Sequence, residues 1–199
     1  MSVAVGAEPS RPPHPVTFEV DYPERLSRWL IFVKWLLAIP HFIVLYFLQL
    51  VAGVVTFLAF FAILFTGNFP RGLFDFNVNV YRWQANLSAY VGLMRDEYPP
   101  FTGQPGRYPL RFEVEYPASL SRWLIFVKWL LVLPNLLVLV LLALVAAVLY
   151  LIVFFAILFT GTFPRGMFDF IVGVNRWSYR ANAYSSWLMT DRYPPFSLT

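Results

Sequence analysis

The residues best suited to chemistry are arginines and aspartates that follow the repeated motif FPRG. Their spacing of four and then seven positions puts an aspartate and a later arginine on one face of a helix. One interpretation is structural, with each aspartate at a positive helix end and paired with the preceding arginine. The alternative is a polar cluster that grips a lipid headgroup or carries protons. The residues are Arg71, Asp75 and Arg82 in the first copy and Arg165, Asp169 and Arg176 in the second.

Other chemistry is sparse. The only histidines are His14 and His41, and the second copy has Asn135 where the first has His41, so a symmetric metal pair is not available. The chain has no cysteine, which excludes disulfides and thiolate ligands. No Ser/His/Asp set, phosphate-binding glycine loop or pair of catalytic carboxylates is present. We therefore expect no enzyme, no cofactor and no bound metal.

The composition predicts an integral membrane protein. Hydrophobic residues make up 59% of the 199 positions and charged residues 13%, against about 45–50% and about 25% in soluble domains. Residues 35–70 and 129–164 contain no Asp, Glu, Lys or Arg, and each run exceeds the roughly 18 residues that suggest a membrane-spanning helix. The net charge is +4, and the basic residues flank the apolar runs. Anionic lipid is therefore a better partner than nucleic acid.

The chain is one unit written twice. The stretch LSRWLIFVKWLL occurs at 26–37 and again at 120–131, and Tyr22–Leu37 matches Tyr116–Leu131 at 14 of 16 positions. The segments 60–76 and 154–170 match at 15 of 17 positions, whereas 41–59 and 135–153 match at only 7 of 19. Almost every change in that last pair is apolar for apolar, as a segment facing lipid tails permits.

Local patterns divide each unit into four parts. Alternating residues in 16–23 and 110–117 predict short strands. The apolar runs 26–66 and 120–160 follow, and Gly and Pro then mark a turn. Segments 73–94 and 167–189 mix polar and aromatic residues, which favours an amphipathic helix at the membrane interface. The predicted organisation is a disordered Pro-rich tail (1–15), a first repeat unit (16–101), a linker (102–109) and a second repeat unit (110–199).

Two topologies suit the apolar runs. If each run crossed once, after a short interfacial helix, the units would be inverted and the basic residues would divide eight against seven. If each run formed a hairpin, all fifteen Lys and Arg residues would lie on one side, as the positive-inside bias favours. A shallow re-entrant turn at Pro40 and Pro134 is a further alternative. The favoured fold is an all-α membrane protein of two tandem units, each an apolar helical hairpin plus an amphipathic interfacial helix, with short β-strands at the unit ends.

The duplicated stretch predicts an interface anchor. Each lysine lies six residues after an arginine, about 9 Å along a helix, and from there it can extend toward the headgroups. Tryptophans beside it favour the same boundary. An intramembrane lysine that binds a substrate anion is the alternative. The predicted anchors are Arg28, Trp29, Lys34, Trp35, Arg122, Trp123, Lys128 and Trp129.

The motifs LFTGxFPRGxFDF, RW, AY and LMTDRYPPF resemble a bacterial membrane family known as domain of unknown function 4389, present here as two tandem copies. The resemblance covers nearly the whole chain. It implies a protein of the bacterial cytoplasmic (inner) membrane. The hairpins and the charge distribution add the expectation of a multi-pass protein whose termini lie in the cytoplasm. The resemblance implies no activity, so it transfers no catalytic residues.

For function we expect a non-enzymatic membrane scaffold or accessory subunit that shapes the membrane or stabilises a larger complex. One alternative is a small oligomeric transporter or channel, for which Gln49, Thr56 and Tyr150 are the candidate polar residues. The other is a protein that binds anionic lipids through its arginines. Expected partners are membrane lipids with anionic headgroups, and either further copies of the chain or a larger membrane complex.

Overall fold

A computed structural model describes residues 14–199; the tail predicted for residues 1–15 lies almost wholly outside them. The predicted strands and helices are present in both units. Their bounds are β1 Val16–Val20, α1 Leu30–Leu37, α2 Ile39–Thr66, α3 Arg71–Val91, β2 Leu110–Val114, α4 Leu124–Leu131, α5 Leu133–Thr160 and α6 Arg165–Tyr184.

The predicted hairpin is wrong. Helices α2 and α5 each run unbroken for 28 residues, with no turn at Gly53 or Ala147. Pro40 and Pro134 occupy the first turn of these helices, where a missing N–H leaves no hydrogen bond unmade. The prolines therefore begin the long helices instead of dividing the runs. Each unit instead has the helices of the other alternative, a short helix followed by one long helix.

Helices α3 and α6 fold back along the long helices. After Thr66 the chain turns at Gly67, whose left-handed φ of 77° suits glycine. The contacts then run antiparallel, since the Asn77 side chain donates to Thr56 Oγ1 and the Trp83 indole donates to His41 Nδ1. In unit two Trp177 donates to Asn135 in the same way. Both helices are largely buried within the protein.

The two units exchange their strands. β1 and β2 pair antiparallel, with Phe18 opposite Phe112. Each strand also packs on the other unit's helix, because Arg82 of α3 donates to the Phe112 carbonyl and Arg176 of α6 donates to the Phe18 carbonyl. The exchange ties the units into one body with approximate two-fold symmetry.

The long helices are antiparallel and lie in one layer. Phe32 of α1 contacts Phe154 near the end of α5, with ring centroids 5.5 Å apart, and Phe60 contacts Phe126 at 5.4 Å in the symmetric position. On α3, Asn77 faces α2 whereas Arg82, five residues on and roughly 140° around the helix, faces the sheet. The molecule thus has three layers: α2 with α5, then α3 with α6, then the two-stranded sheet.

Candidate functional site: an apolar face and its cleft

The outer layer presents an extended apolar face. On α2 only a narrow stripe at helical spacing is buried, formed by His41, Leu45, Ala52, Val55, Ala59 and Ile63. The remaining circumference of α2 exposes large apolar side chains such as Phe47 and Phe57, and α5 exposes Leu144 in the same way. Within the described residues, the helical runs Leu30–Thr66 and Leu124–Thr160 are long and apolar enough to cross a membrane. We call the exposed surface of these two runs the apolar face.

The lysines of the duplicated stretch do not reach outward, and their predicted role as headgroup anchors is wrong. Lys34 and Lys128 have 2% and 0% of their side chains exposed. Lys34 Nζ lies 2.8 Å from Asp96 and donates to the Arg95 carbonyl at 2.6 Å. Lys128 pairs with Asp191 at 2.7 Å. Each ion pair ties the short helix that precedes a long helix, α1 or α4, to the segment that follows α3 or α6.

The other predicted anchors lie at the ends of the apolar face. Trp29 and Trp123 are each 80% exposed. The guanidinium of Arg28 lies beside Gly161 and that of Arg122 beside Gly67, where each positive charge meets the negative end of the other unit's long helix. Trp35 and Trp129 are also exposed. These indoles and arginines therefore rim both ends of the apolar face.

The predicted arginine–aspartate cluster separates into two kinds of contact. Arg71 pairs with Asp75 at 3.2 Å in an exposed position, as Arg165 does with Asp169. Arg82 is buried and instead donates to the carbonyls of Phe112 and Gly103. Arg176 holds the carbonyls of Phe18 and Leu198 in the same way. Burial lowers the pKa of the Arg82 guanidinium, although the Glu113 carboxylate opposes that shift. These arginines fasten the strands and chain ends to the helices.

A cleft divides the apolar face between α2 and α5. Its wider part has a volume of about 770 Å³, with walls from Ile31, Phe42, Leu45 and Tyr46 on one side and Tyr150 and Phe154 on the other. The floor of this part is α3, through Gln84, Leu87, Ser88 and Val91. The cleft therefore has apolar walls and a partly polar floor.

The cleft continues into a more polar part of about 560 Å³. Gln49, Gln84 and Ser88 line both parts. The polar part adds Thr56 and Tyr81 from unit one and the side chains of Asn175, Ser178, Tyr179 and Asn182 from unit two. Gln49, Thr56 and Tyr150, the polar residues that the sequence suggested for a shared pathway, thus line one cleft.

Sequence reasoning missed the partners of the buried lysines. Asp96 and Asp191 accept the ion pairs, and the rings of Tyr90 and Tyr184 lie under the ammonium groups at 5.1 and 5.3 Å. A signal was present, because both aspartates lie two residues after a methionine in the repeated endings LMRDEYPPF and LMTDRYPPF. Within residues 14–199 no three His, Asp or Glu side chains are grouped as a metal ion would need.

Comparison with known proteins returns one result. A family model described as a domain of unknown function (DUF4389) matches twice, at residues 28–103 and 122–197. No curated protein and no solved structure gives a match.

Proposed function

We propose that this chain, which belongs to the DUF4389 family, is a non-enzymatic membrane scaffold whose two long helices lie within one leaflet. The single observation that carries the proposal is the layering of the molecule. The apolar face is on one side, and the sheet with its charged side chains is on the other. The multi-pass topology expected from the sequence depended on the hairpin. In its place we propose that the long helices insert into the membrane from one side without crossing it.

An orientation across the bilayer is physically unfavourable for this fold. The sheet is fastened at Arg82, near the middle of α3. If α2 stood upright, the exposed Glu19, Arg111 and Glu113 of the sheet would face hydrocarbon near the bilayer centre. A charge at that depth costs about 2.5–3.5 kcal/mol on insertion scales. The outer edges of a two-stranded sheet would add unpaired backbone groups.

If the long helices lie flat in one leaflet, the charged side chains and the backbone edges of the sheet remain in water. Helix α2 is 28 residues long, about 42 Å at 1.5 Å per residue, and it would lie along the membrane with its exposed circumference among acyl chains. Interfacial helices bury their apolar side about 5–10 Å into the boundary between headgroups and acyl chains. Trp29 and Trp123, at the two ends, would then sit at headgroup level.

Insertion from one face supports a membrane-shaping role. Two antiparallel helices in one leaflet expand that leaflet alone, and such insertions are sensitive to curvature. The fourteen basic residues among residues 14–199 would then lie on the polar side, which is the arrangement that a cytoplasmic face of a bacterial inner membrane favours.

Reconstitution into liposomes tests this role. We expect vesicle diameter, measured by electron cryomicroscopy, to fall as the protein-to-lipid ratio rises. A variant with Phe47→Gln, Phe57→Gln, Leu144→Gln and Leu151→Gln should lose the effect, because these positions are exposed on the apolar face. Val54→Leu is the matched control. Vesicles of unchanged shape, with the protein fully inserted, would count against a shaping role.

Anionic-lipid binding is a second candidate, supported by the exposed arginines at the rim. Arg25, Arg28 and Arg122 are exposed beside Trp29 and Trp123, and basic residues near the surface attract anionic lipid by about 1 kcal/mol each. Flotation with vesicles of rising phosphatidylglycerol content tests it, with Arg28→Gln/Arg122→Gln as the variant. Binding that ignores lipid charge would discard this candidate.

A further inference from the structure

We propose that the cleft between α2 and α5 binds one uncharged lipid of the acylglycerol type. Its acyl chains would lie against Ile31, Phe42, Leu45 and Phe154, and its hydroxyl and ester groups would meet the polar floor. The inference rests on the proposed embedding, because only then does the cleft open toward acyl chains. It adds a ligand and a site that the scaffold role does not require.

The floor of the cleft carries polar side chains where a membrane-facing surface should be apolar. Gln84 and Ser88 share a helical face with Asn77, seven and eleven positions before them. All three are directed toward the layer of α2 and α5, and Gln84 and Ser88 line the cleft. Bulk acyl chains filling the cleft would leave the side-chain amide of Gln84 without a partner, which is costly in hydrocarbon. A ligand with its own polar head removes that cost.

Part of the polar lining interacts within the protein. The Tyr81 hydroxyl lies near Thr56, that of Tyr150 near Asn175 and that of Tyr179 near Ser88. The side-chain amides of Gln49 and Gln84 have no hydrogen-bonding partner among residues 14–199. Each amide offers donors and an acceptor. Both glutamines border the two parts of the cleft, so a head placed there can bond to either amide while its chains occupy the apolar part.

Charge identifies the class of ligand. Among the described residues that line the two parts of the cleft, none is charged. A phosphate headgroup would be desolvated there without a counter-ion, which is strongly unfavourable. Hydroxyl and ester groups can instead be matched by amides and hydroxyls. The volume of the wider part, about 770 Å³, lies in the range of roughly 300–1,000 Å³ that small-molecule sites occupy.

The difference between the units predicts one site per chain. The counterparts of Phe42 and Gln49 in unit two are Leu136 and Ala143. The symmetric position therefore lacks the glutamine that borders both parts of the cleft. One bound lipid per protein is the expected stoichiometry.

Photo-crosslinking tests the site directly. The protein is reconstituted in phosphatidylcholine nanodiscs that contain a photoreactive diacylglycerol, and labelled peptides are identified by mass spectrometry. We expect labelling to concentrate in residues 42–56 and 84–92. Unlabelled diacylglycerol should compete, and phosphatidylglycerol should not. Even labelling along the exposed sides of α2 and α5, or competition by phosphatidylglycerol alone, would overturn the proposal.

Matched variants give a second readout. A side chain at Gly53 meets no atom within 4 Å and projects into the polar part of the cleft, so Gly53→Phe should fill it. Val54→Phe adds the same ring on the exposed side and is the control. Gln84→Leu keeps the side-chain size and removes the amide. We expect labelling to fall about tenfold in Gly53→Phe, equivalent to about 1.4 kcal/mol, and severalfold in Gln84→Leu, with no change in Val54→Phe.

The outcomes separate this proposal from the scaffold role. If Gly53→Phe and Gln84→Leu label as the unaltered protein does, while all three variants still insert into liposomes, the cleft is not a lipid site and the scaffold role stands. If a photoreactive phosphatidylcholine also fails to label the apolar face, the proposed embedding itself is wrong.

Discussion

Unit one and unit two are nearly identical where they contact each other and differ where they face outward. Tyr22 donates to the Phe163 carbonyl and Tyr116 donates to the Phe69 carbonyl, and the amides of Leu26 and Leu120 bond to the carbonyls of the other unit's turn. The weakly matched segments 41–59 and 135–153 expose most of their side chains. The inter-unit contacts therefore coincide with internal identity, and the drift is concentrated in the middle of the apolar face.

Two differences keep the same contact with different residues. The acceptor for the buried indole is His41 in unit one and Asn135 in unit two. The segment that ends each unit approaches the preceding helix closely. Gly103 lies against Asn79 of α3 in unit one, and Leu198 lies against Gly173 of α6 in unit two. In unit one the glycine is in the segment that follows the helix, and in unit two it is in the helix. The contact therefore requires a glycine on one of the two sides, and either side will serve.

The largest expected effect tests whether the two buried ion pairs are equivalent. Lys34→Met and Lys128→Met should each lower the free energy of unfolding by about 3 kcal/mol, because each leaves a largely enclosed aspartate without its partner. Denaturant titration in detergent micelles measures both. A loss in one variant and none in the other would break the symmetry between the units.

The different positions of the glycine predict that alanine substitutions at Gly103 and Gly173 destabilise the protein by unequal amounts. A Cβ at Gly103 would lie 1.8 Å from the Asn79 carbonyl oxygen, whereas a Cβ at Gly173 would lie 2.8 Å from atoms of Leu198. We expect Gly103→Ala to destabilise by about 2–3 kcal/mol and Gly173→Ala by about 1 kcal/mol, since overpacking costs grow with the backbone shift required. Thermal unfolding of the two variants checks the order. Equal losses would show that the chain ends adjust alike.

The indole acceptors sharpen the comparison. His41→Leu should cost about 1–2 kcal/mol, because the Trp83 N–H is then buried without an acceptor. His41→Asn reproduces the pair of unit two and should change stability by less than about 0.5 kcal/mol. The same micelle titration separates them. If His41→Asn were as damaging as His41→Leu, the imidazole would have a role beyond accepting this bond.

The smallest expected effect is a gain in the stability of the folded protein. Gly72 and Gly166 occupy the first turns of α3 and α6, and a Cβ at either position meets no atom within 4 Å. Gly72→Ala and Gly166→Ala should each stabilise by about 0.5 kcal/mol through a less flexible unfolded chain. Thermal scans of both variants measure the shift. A loss at one position alone would reveal a neighbour that only one unit has.

Much of the architecture could be predicted from the sequence. Alternation at 16–23 and 110–117 predicts the strands, and apolar runs bounded by Gly67 and Gly161 predict the long helices. The hairpin prediction was wrong because it assumed that each apolar run crosses the bilayer. If a run crosses, all basic residues can lie on one side of the membrane only when each run crosses an even number of times. A helix lying within one leaflet keeps the charges on one side without a turn.

Two features had no local signal. The alternation of residues in a strand shows which side chains share a face, but it does not show which strand or helix the strand packs on. The exchange of β1 and β2 between the units was therefore not predictable. The depth of Lys34 was also hidden, because its partner Asp96 is 62 positions away. Gln49, Thr56 and Tyr150 were recognisable as polar residues within apolar runs, but only the antiparallel packing of α2 and α5 brings them to one cleft.

The most direct test of the account is the side from which the ends of the long helices can be reached. The chain has no cysteine, so Glu24→Cys and Thr162→Cys at one end, and Asn68→Cys and Ser121→Cys at the other, can be labelled singly with an impermeant thiol reagent in sealed vesicles. These four positions are exposed. Insertion from one face predicts that all four react from the same side. Reaction of the first pair from one side and the second pair from the other would mean that the helices cross the bilayer.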